Sequence, residues 1–182
     1  MGVKIKGLSS LRRKTQQLPE LIKKAVSEAT DEVAELVQGY AVQSIQSSTK
    51  HGSSELAGSV KKDVIESTEG RIQGYVRTDK ESHIYREFGT GPIGQASKKD
   101  LPPGFYPTYT QTPWGIPVLE TGKDLEALYG FRRYEYNGKE YFWTLGQPAH
   151  PWLYPALKEG MEEAPEIYKE KLNQALKEIS KK

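Results

Sequence analysis

Cysteine is absent from all 182 residues. Its absence excludes a disulfide scaffold, a thiol nucleophile and a thiolate zinc site, and makes cytosolic synthesis the default expectation. Long apolar runs are missing too. None approaches the roughly 18 residues that span a bilayer, and the first residues carry no apolar signal core. Lys6 stands where a myristoylation signal has Ser or Thr, so the expectation is a soluble chain with no membrane contact. Histidine is scarce: His51, His83 and His150 lie far apart with no pair at ligand spacing, so no metal site is expected. Serines crowd residues 44–54 without a nucleophile elbow around them. Gly89-Thr90-Gly91-Pro92 lacks the Lys and the strand–loop–helix frame of a phosphate loop. Paired carboxylates such as Glu162-Glu163 fall on a helix surface. No catalytic constellation emerges, and neither an enzyme nor a cofactor is expected.

Net charge is only +2, but it is unevenly placed: residues 1–24 carry +6, residues 158–182 balance, and the middle sums to −4. The basic N-terminal segment 1–17 either attracts phosphate or forms a solvated helix face. The near-zero total argues against a dedicated nucleic-acid binder.

The length suits a single domain of α+β class, with a mostly antiparallel sheet packed on a long N-terminal helix and a C-terminal helix. Ile22, Val26, Ala29, Val33, Leu36 and Tyr40 recur at gaps of three and four, predicting a helix over 18–47 that Leu18-Pro19 begins. Such a rod is about 45 Å long. Strands are expected over 56–66 and 71–78, joined at Glu69-Gly70, and a short helix over 82–88 with Ser82 as its cap and Gly89 as its stop. Phe131 to Tyr136, Asn137-Gly138 and Lys139 to Leu145 form the strongest hairpin signal, because a type I′ turn needs two positive φ values. Tyr136 should pair with Lys139, and Tyr134 with Tyr141. A last helix should run over 155–179, with Pro165 kinking or dividing it and Leu157 and Met161 on its apolar stripe.

Between these elements, residues 92–128 form a long irregular insertion (91–130 at its widest), broken by Pro92, Pro102, Pro103, Pro107, Pro113 and Pro117. Phe105, Tyr106, Tyr109 and Trp114 are scattered through it. The insertion reads as a projecting partner-binding loop, or else as a lid folded on the sheet.

Two stretches organise the chain. Tyr85-Arg86-Glu87-Phe88-Gly89-Thr90-Gly91 is an aromatic, acidic turn stopped by glycine. Gln147-Pro148-Ala149-His150-Pro151-Trp152-Leu153-Tyr154-Pro155-Ala156-Leu157 is a proline-stiffened lead into a helix that Pro151 or Pro155 begins. Glu87 is expected to be either a solvated carboxylate or a member of a structural or intersubunit ion pair, with one of the Arg residues as the candidate partner. Together with the opening Val3-x-Ile5-x-Gly7-Leu8-x-x-Leu11 and with Glu55-Leu56-x-Gly58-Ser59-Val60, these stretches resemble the tail-completion (head–tail joining) family of long-tailed bacteriophages. In that likeness the segment 55–60 matches the family's first strand.

The resemblance implies a tail-terminator-like fold, a sheet on two helices, and a ring subunit of the phage neck located in the virion. Its partners would be other copies of itself, the tail tube protein and the head connector or stopper protein, with DNA passing through the lumen without sequence-specific binding. Interface candidates on this reading are Tyr85, Glu87, Phe88, Gly89, Thr90, Tyr106, Tyr109, Trp114, Asn137, Gly138, Pro148, Pro151, Trp152, Leu153 and Pro155. The competing reading is a nucleic-acid-binding module that uses the basic N-terminus and the aromatic loop.

Overall fold

The computed structural model describes residues 8–47, 54–80, 82–122 and 124–181. Residues 48–53, with His51, and the first seven residues, with Val3, Ile5 and Gly7 of the family likeness, lie outside these. The chain divides into two compact units, Met1–Asp79 with Ala156–Lys182, and Lys80–Pro155.

The first unit is α+β, with a long N-terminal helix packed on the C-terminal helix and a small antiparallel sheet. Helix α1 spans Leu8–Ser47, 40 residues in one piece, with Pro19 inside it. At 1.5 Å per residue it is about 60 Å long. The expected start at Leu18-Pro19 is therefore corrected, since the helix passes through the proline. The buried line is also offset from the predicted one. Ala25, Ala29, Val33, Val37, Ala41 and Ile45 are buried at steps of four, whereas Ile22 is exposed. Alanine shares the inner line with valine and isoleucine.

Short residues let the helices approach. In α7, Leu153–Lys181, the buried Ala156, Gly160 and Ala164 also recur every fourth position. A Cβ built on Gly160 would overlap Cγ2 of Val37. Small side chains at such contacts set a short interaxial distance. The predicted stripe needs correction here: Leu157 and Met161 are exposed. Pro165 sits inside the helix without dividing it. Thr30 Oγ1 bonds Val26 O at 2.7 Å and lies 2.7 Å from Tyr168 Oη. A hydroxyl has one proton, so Tyr168 donates to Thr30 while Thr30 donates to the carbonyl. Tyr40 donates to Glu163, which holds its phenol above the usual pKa. Lys171 pairs with Glu32 at 2.8 Å.

The sheet of this unit is the antiparallel hairpin β1 (Lys61–Glu66) and β2 (Ile72–Arg77), registered from Lys61↔Arg77 to Glu66↔Ile72. Its turn closes with Gly70 N–H on Ser67 O at 2.9 Å. The expected strand over 56–66 holds only from residue 61. Ser54–Gly58 is a short helix, α2, with Glu55 in its first turn, where a carboxylate complements the helix dipole. Residues 55–58 are thus helical and 59–60 lead into β1, where the family likeness implied a strand over 55–60. Gly74 lies against Thr30 and Ala34 of α1. Lys62 reaches Asp31 at 2.6 Å and Glu35 at 3.3 Å, two carboxylates one helical turn apart. The hydrogen bond to Asp31 is the main reason its ammonium is held above the usual lysine pKa.

The second unit contains α3 (Ser82–Phe88), α4 (Gly91–Ala96), α5 (Val118–Thr121) and α6 (Leu125–Tyr129). Its sheet, in the order β3-β5-β4, comprises β3 (Trp114–Pro117), β4 (Arg132–Tyr136) and β5 (Lys139–Thr144), all antiparallel. The hairpin has the predicted register, Tyr136↔Lys139 and Tyr134↔Tyr141. Asn137 and Gly138 have φ of 49° and 70°, the pair of positive values a type I′ turn requires.

The insertion is more regular than its prolines imply. Pro117, expected to break any ladder, lies in β3 opposite Tyr141. Proline is tolerated there because β3 is an edge strand.

Candidate interaction site

All of the contacts that assemble this site lie within Lys80–Pro155. The two stretches singled out from the sequence meet, backbone against backbone. Thr90 N–H donates to Gln147 O at 3.0 Å, and Gln147 N–H returns to Thr90 O at 3.2 Å. Gln147 Nε2 donates to Tyr85 O at 3.0 Å, and His150 N–H to Arg86 O at 2.7 Å. Glycine makes the crossing possible. Gly146 has φ of 105°, and a Cβ there would overlap the carbonyl of Thr90. At Gly91 a Cβ would overlap the carbonyl of Leu145. Any side chain at either place would push the two strands of chain apart.

Glu87 joins the stretches more tightly than any other residue. Its Oε2 accepts the N–H groups of Trp152 at 2.6 Å and Leu153 at 2.9 Å, and its Oε1 accepts that of Tyr154 at 3.0 Å. The first N–H groups of a helix have no intrahelical partner, and here a carboxylate from 65 residues upstream takes them. Pro155, next in line, has no N–H to satisfy. Negative charge also favours the positive end of a helix. Glu87 is buried, so it is not the solvated carboxylate, and within the chain it is held by backbone amides rather than by an arginine. Trp152 is 2 % exposed, and its ring meets that of buried His83 edge-on at 5.2 Å.

Around this clamp the insertion folds back. The Phe105 ring lies 4.6 Å from that of Phe88, and Tyr109 Oη donates to Phe88 O at 3.0 Å. Trp114 and Ile116 of β3 complete a groove of about 530 Å³ with Tyr85, Phe88, Thr90 and Tyr109. This part of the insertion therefore folds back on α3, neither projecting nor lying as a lid on the sheet. Tyr106, at 85 % exposed, is the aromatic of this segment that stands out.

The structure thus brings together Tyr85, Glu87, Phe88, Gly89 and Thr90 with Trp152 and Leu153, and adds Tyr109 and Trp114. Pro148, Pro151 and Pro155 stiffen the approach to the helix. Asn137 and Gly138 belong to the hairpin turn and do not line the groove.

Sequence reasoning missed Arg133 and Asp124. Asp124 caps α6 through Oδ1, accepting Glu126 N–H at 3.0 Å and Ala127 N–H at 3.3 Å. Its Oδ2 meets Arg133 Nη2 at 2.7 Å. That guanidinium also holds Glu126 at 2.8 Å and stands over the Phe142 ring. The Arg133 hydrogen bond is the leading cause of a lowered Asp124 pKa. The signal was readable as Asp124, an N-cap residue type, ahead of Leu125 with Glu126 in the first turn. Among the described residues, no group of three His, Asp or Glu side chains is placed to hold a metal ion, and no helix is long and apolar enough to cross a membrane.

No family model matches the chain, and no curated protein or solved structure is significantly similar to it.

Proposed function

We propose that this chain is a structural subunit of a tailed-phage neck, completing or terminating the tail tube and joining it to the head connector as a member of a ring. The observation that carries the reading is the clamp. The two stretches on which the family likeness chiefly rests, 85–91 and 147–157, are tied by Glu87 and by the glycine crossing into one unit. The unit presents aromatic side chains rather than a reactive constellation. Ile84 and Tyr85 beside the groove are more than half exposed, which suits a surface that fits against a neighbour.

A ring needs heterologous contacts that close by rotation. Strand β4 lies at the edge of its sheet, and all five of its residues are exposed. An edge strand of this kind extends onto a neighbouring chain by main-chain hydrogen bonds. The groove of one copy and the β4 edge of the next are the two faces assigned to that contact. The tail tube and the connector take the axial faces, and DNA passes through the lumen. Deleting the gene from its phage tests the reading. Separate filled heads and tails are expected, and fully infectious particles would overturn it.

A further inference from the structure

The outer face of the three-stranded sheet has a composition that main-chain pairing along the β4 edge does not use. Alternation along the strands puts residues i and i+2 on one face. On β4 and β5 this face holds Arg132, Tyr134, Tyr136, Lys139, Tyr141 and Trp143, and Glu135 and Glu140 fall on the other. Four aromatic rings and two cations therefore share a face from which these strands' carboxylates are excluded. Tyr136 is 63 % exposed, Trp143 50 % and Tyr134 40 %.

The cluster is ordered before any partner arrives. Tyr134 reaches across β5, with its ring 5.5 Å from Tyr141 at 22° and 6.5 Å from Trp143 at 70°. Its path is open because β3 contributes Gly115, where a Cβ would overlap the Tyr134 hydroxyl. A side chain there would tilt the ring away.

We infer that this face binds single-stranded nucleic acid, with bases stacking on Tyr136 and Trp143 and phosphates meeting Arg132 and Lys139. Proteins that bind single strands combine a cationic track with aromatic rings on which successive bases stack. The segregated charge favours a polyanion over a neutral partner, and exposed π-faces favour unpaired bases over a duplex. The inference does not rest on the neck reading.

Fluorescence anisotropy of a labelled oligothymidylate of about 20 nucleotides, titrated with the full chain, tests it. Binding should weaken with salt at a log–log slope of about −1.4, as two phosphate contacts on a single strand imply. Trp143→Ala should weaken binding about 5- to 150-fold, the range for losing one stacked base. Tyr136→Ala and the double change Arg132→Ala with Lys139→Ala should each weaken it while leaving the melting temperature as in the parent, because these side chains are exposed. No binding by the parent chain would overturn the inference. So would folded variants that bind as well as the parent, which would move the contact to another surface such as the basic N-terminus. Equal binding of a duplex of the same length, or tighter binding of vesicles containing phosphatidylglycerol, would also overturn it.

Discussion

The two units of this chain are held together in opposite ways. In the first, stability comes from repetition: buried apolar residues every fourth position on α1, small ones on α7, and ion pairs such as Lys62 with Asp31 and Lys171 with Glu32 along the flanks. In the second, it comes from a few singular contacts between segments about 60 residues apart, above all Glu87 on three amides and the crossing at Gly91 and Gly146. A repeated seam spreads its free energy over many similar contacts and tolerates the loss of one. A clamp concentrates it, so single changes there should cost far more.

Breaking the clamp should therefore have the largest effect. Trp152→Ala removes a buried indole and is expected to cost roughly 3–5 kcal/mol, read by urea denaturation. An unchanged melting temperature would remove Trp152 from the core. Glu87→Ala strips the partner from three helix N–H groups and is expected to cost about 3 kcal/mol or more, because each lost bond to a charged acceptor is worth roughly 1.5–3. Amide hydrogen exchange should show protection lost at 152–154 first. Glu87→Gln keeps an acceptor oxygen and should fall between the parent and the alanine variant.

The seam should respond less. Gly160→Leu forces a side chain into Val37 and is expected to cost about 1–3 kcal/mol, the usual range for overpacking. A cost as large as that of Trp152→Ala would erase the contrast between the units.

Smallest of all is the ion pair on the flank. Because the folded-state pKa of Lys62 is raised, its contribution is fully present below the ordinary lysine range and is lost as the pH climbs through the folded value. Its ammonium is only partly covered, so the expected loss is about 0.5–1 kcal/mol. Denaturation midpoints compared at neutral and strongly alkaline pH should show this, and Lys62→Met should flatten the difference.

The same contrast decides what could be read from the residues alone. Elements set by local chemistry were legible. Asn137-Gly138 dictated the hairpin and its register, and Gly89 dictated the end of α3. The first unit was legible as two amphipathic helices with a hairpin, but its inner face was misjudged because bulk outweighed alanine in the periodicity. Pro19 looked like a start, yet a helix interior can absorb a proline at a cost of about 3 kcal/mol.

The clamp was only half legible. Both stretches stood out by composition, but the role of Glu87 depends on a partner 65 residues away. One clue was available. The last helix opens after Pro151-Trp152 with no Ser, Thr, Asp or Asn to cap it, so its first amides had to be satisfied from elsewhere. The ordering of 92–128 was hidden for a similar reason, since Phe105 and Tyr109 fold onto Phe88 through long-range contacts that leave no local pattern.

Assembly is where the account is most exposed. Light scattering coupled to size exclusion, run on the full chain over a wide range of concentration, should show a closed oligomer of fixed stoichiometry growing at the expense of the monomer. A single monomeric species at every concentration would contradict the neck-ring reading.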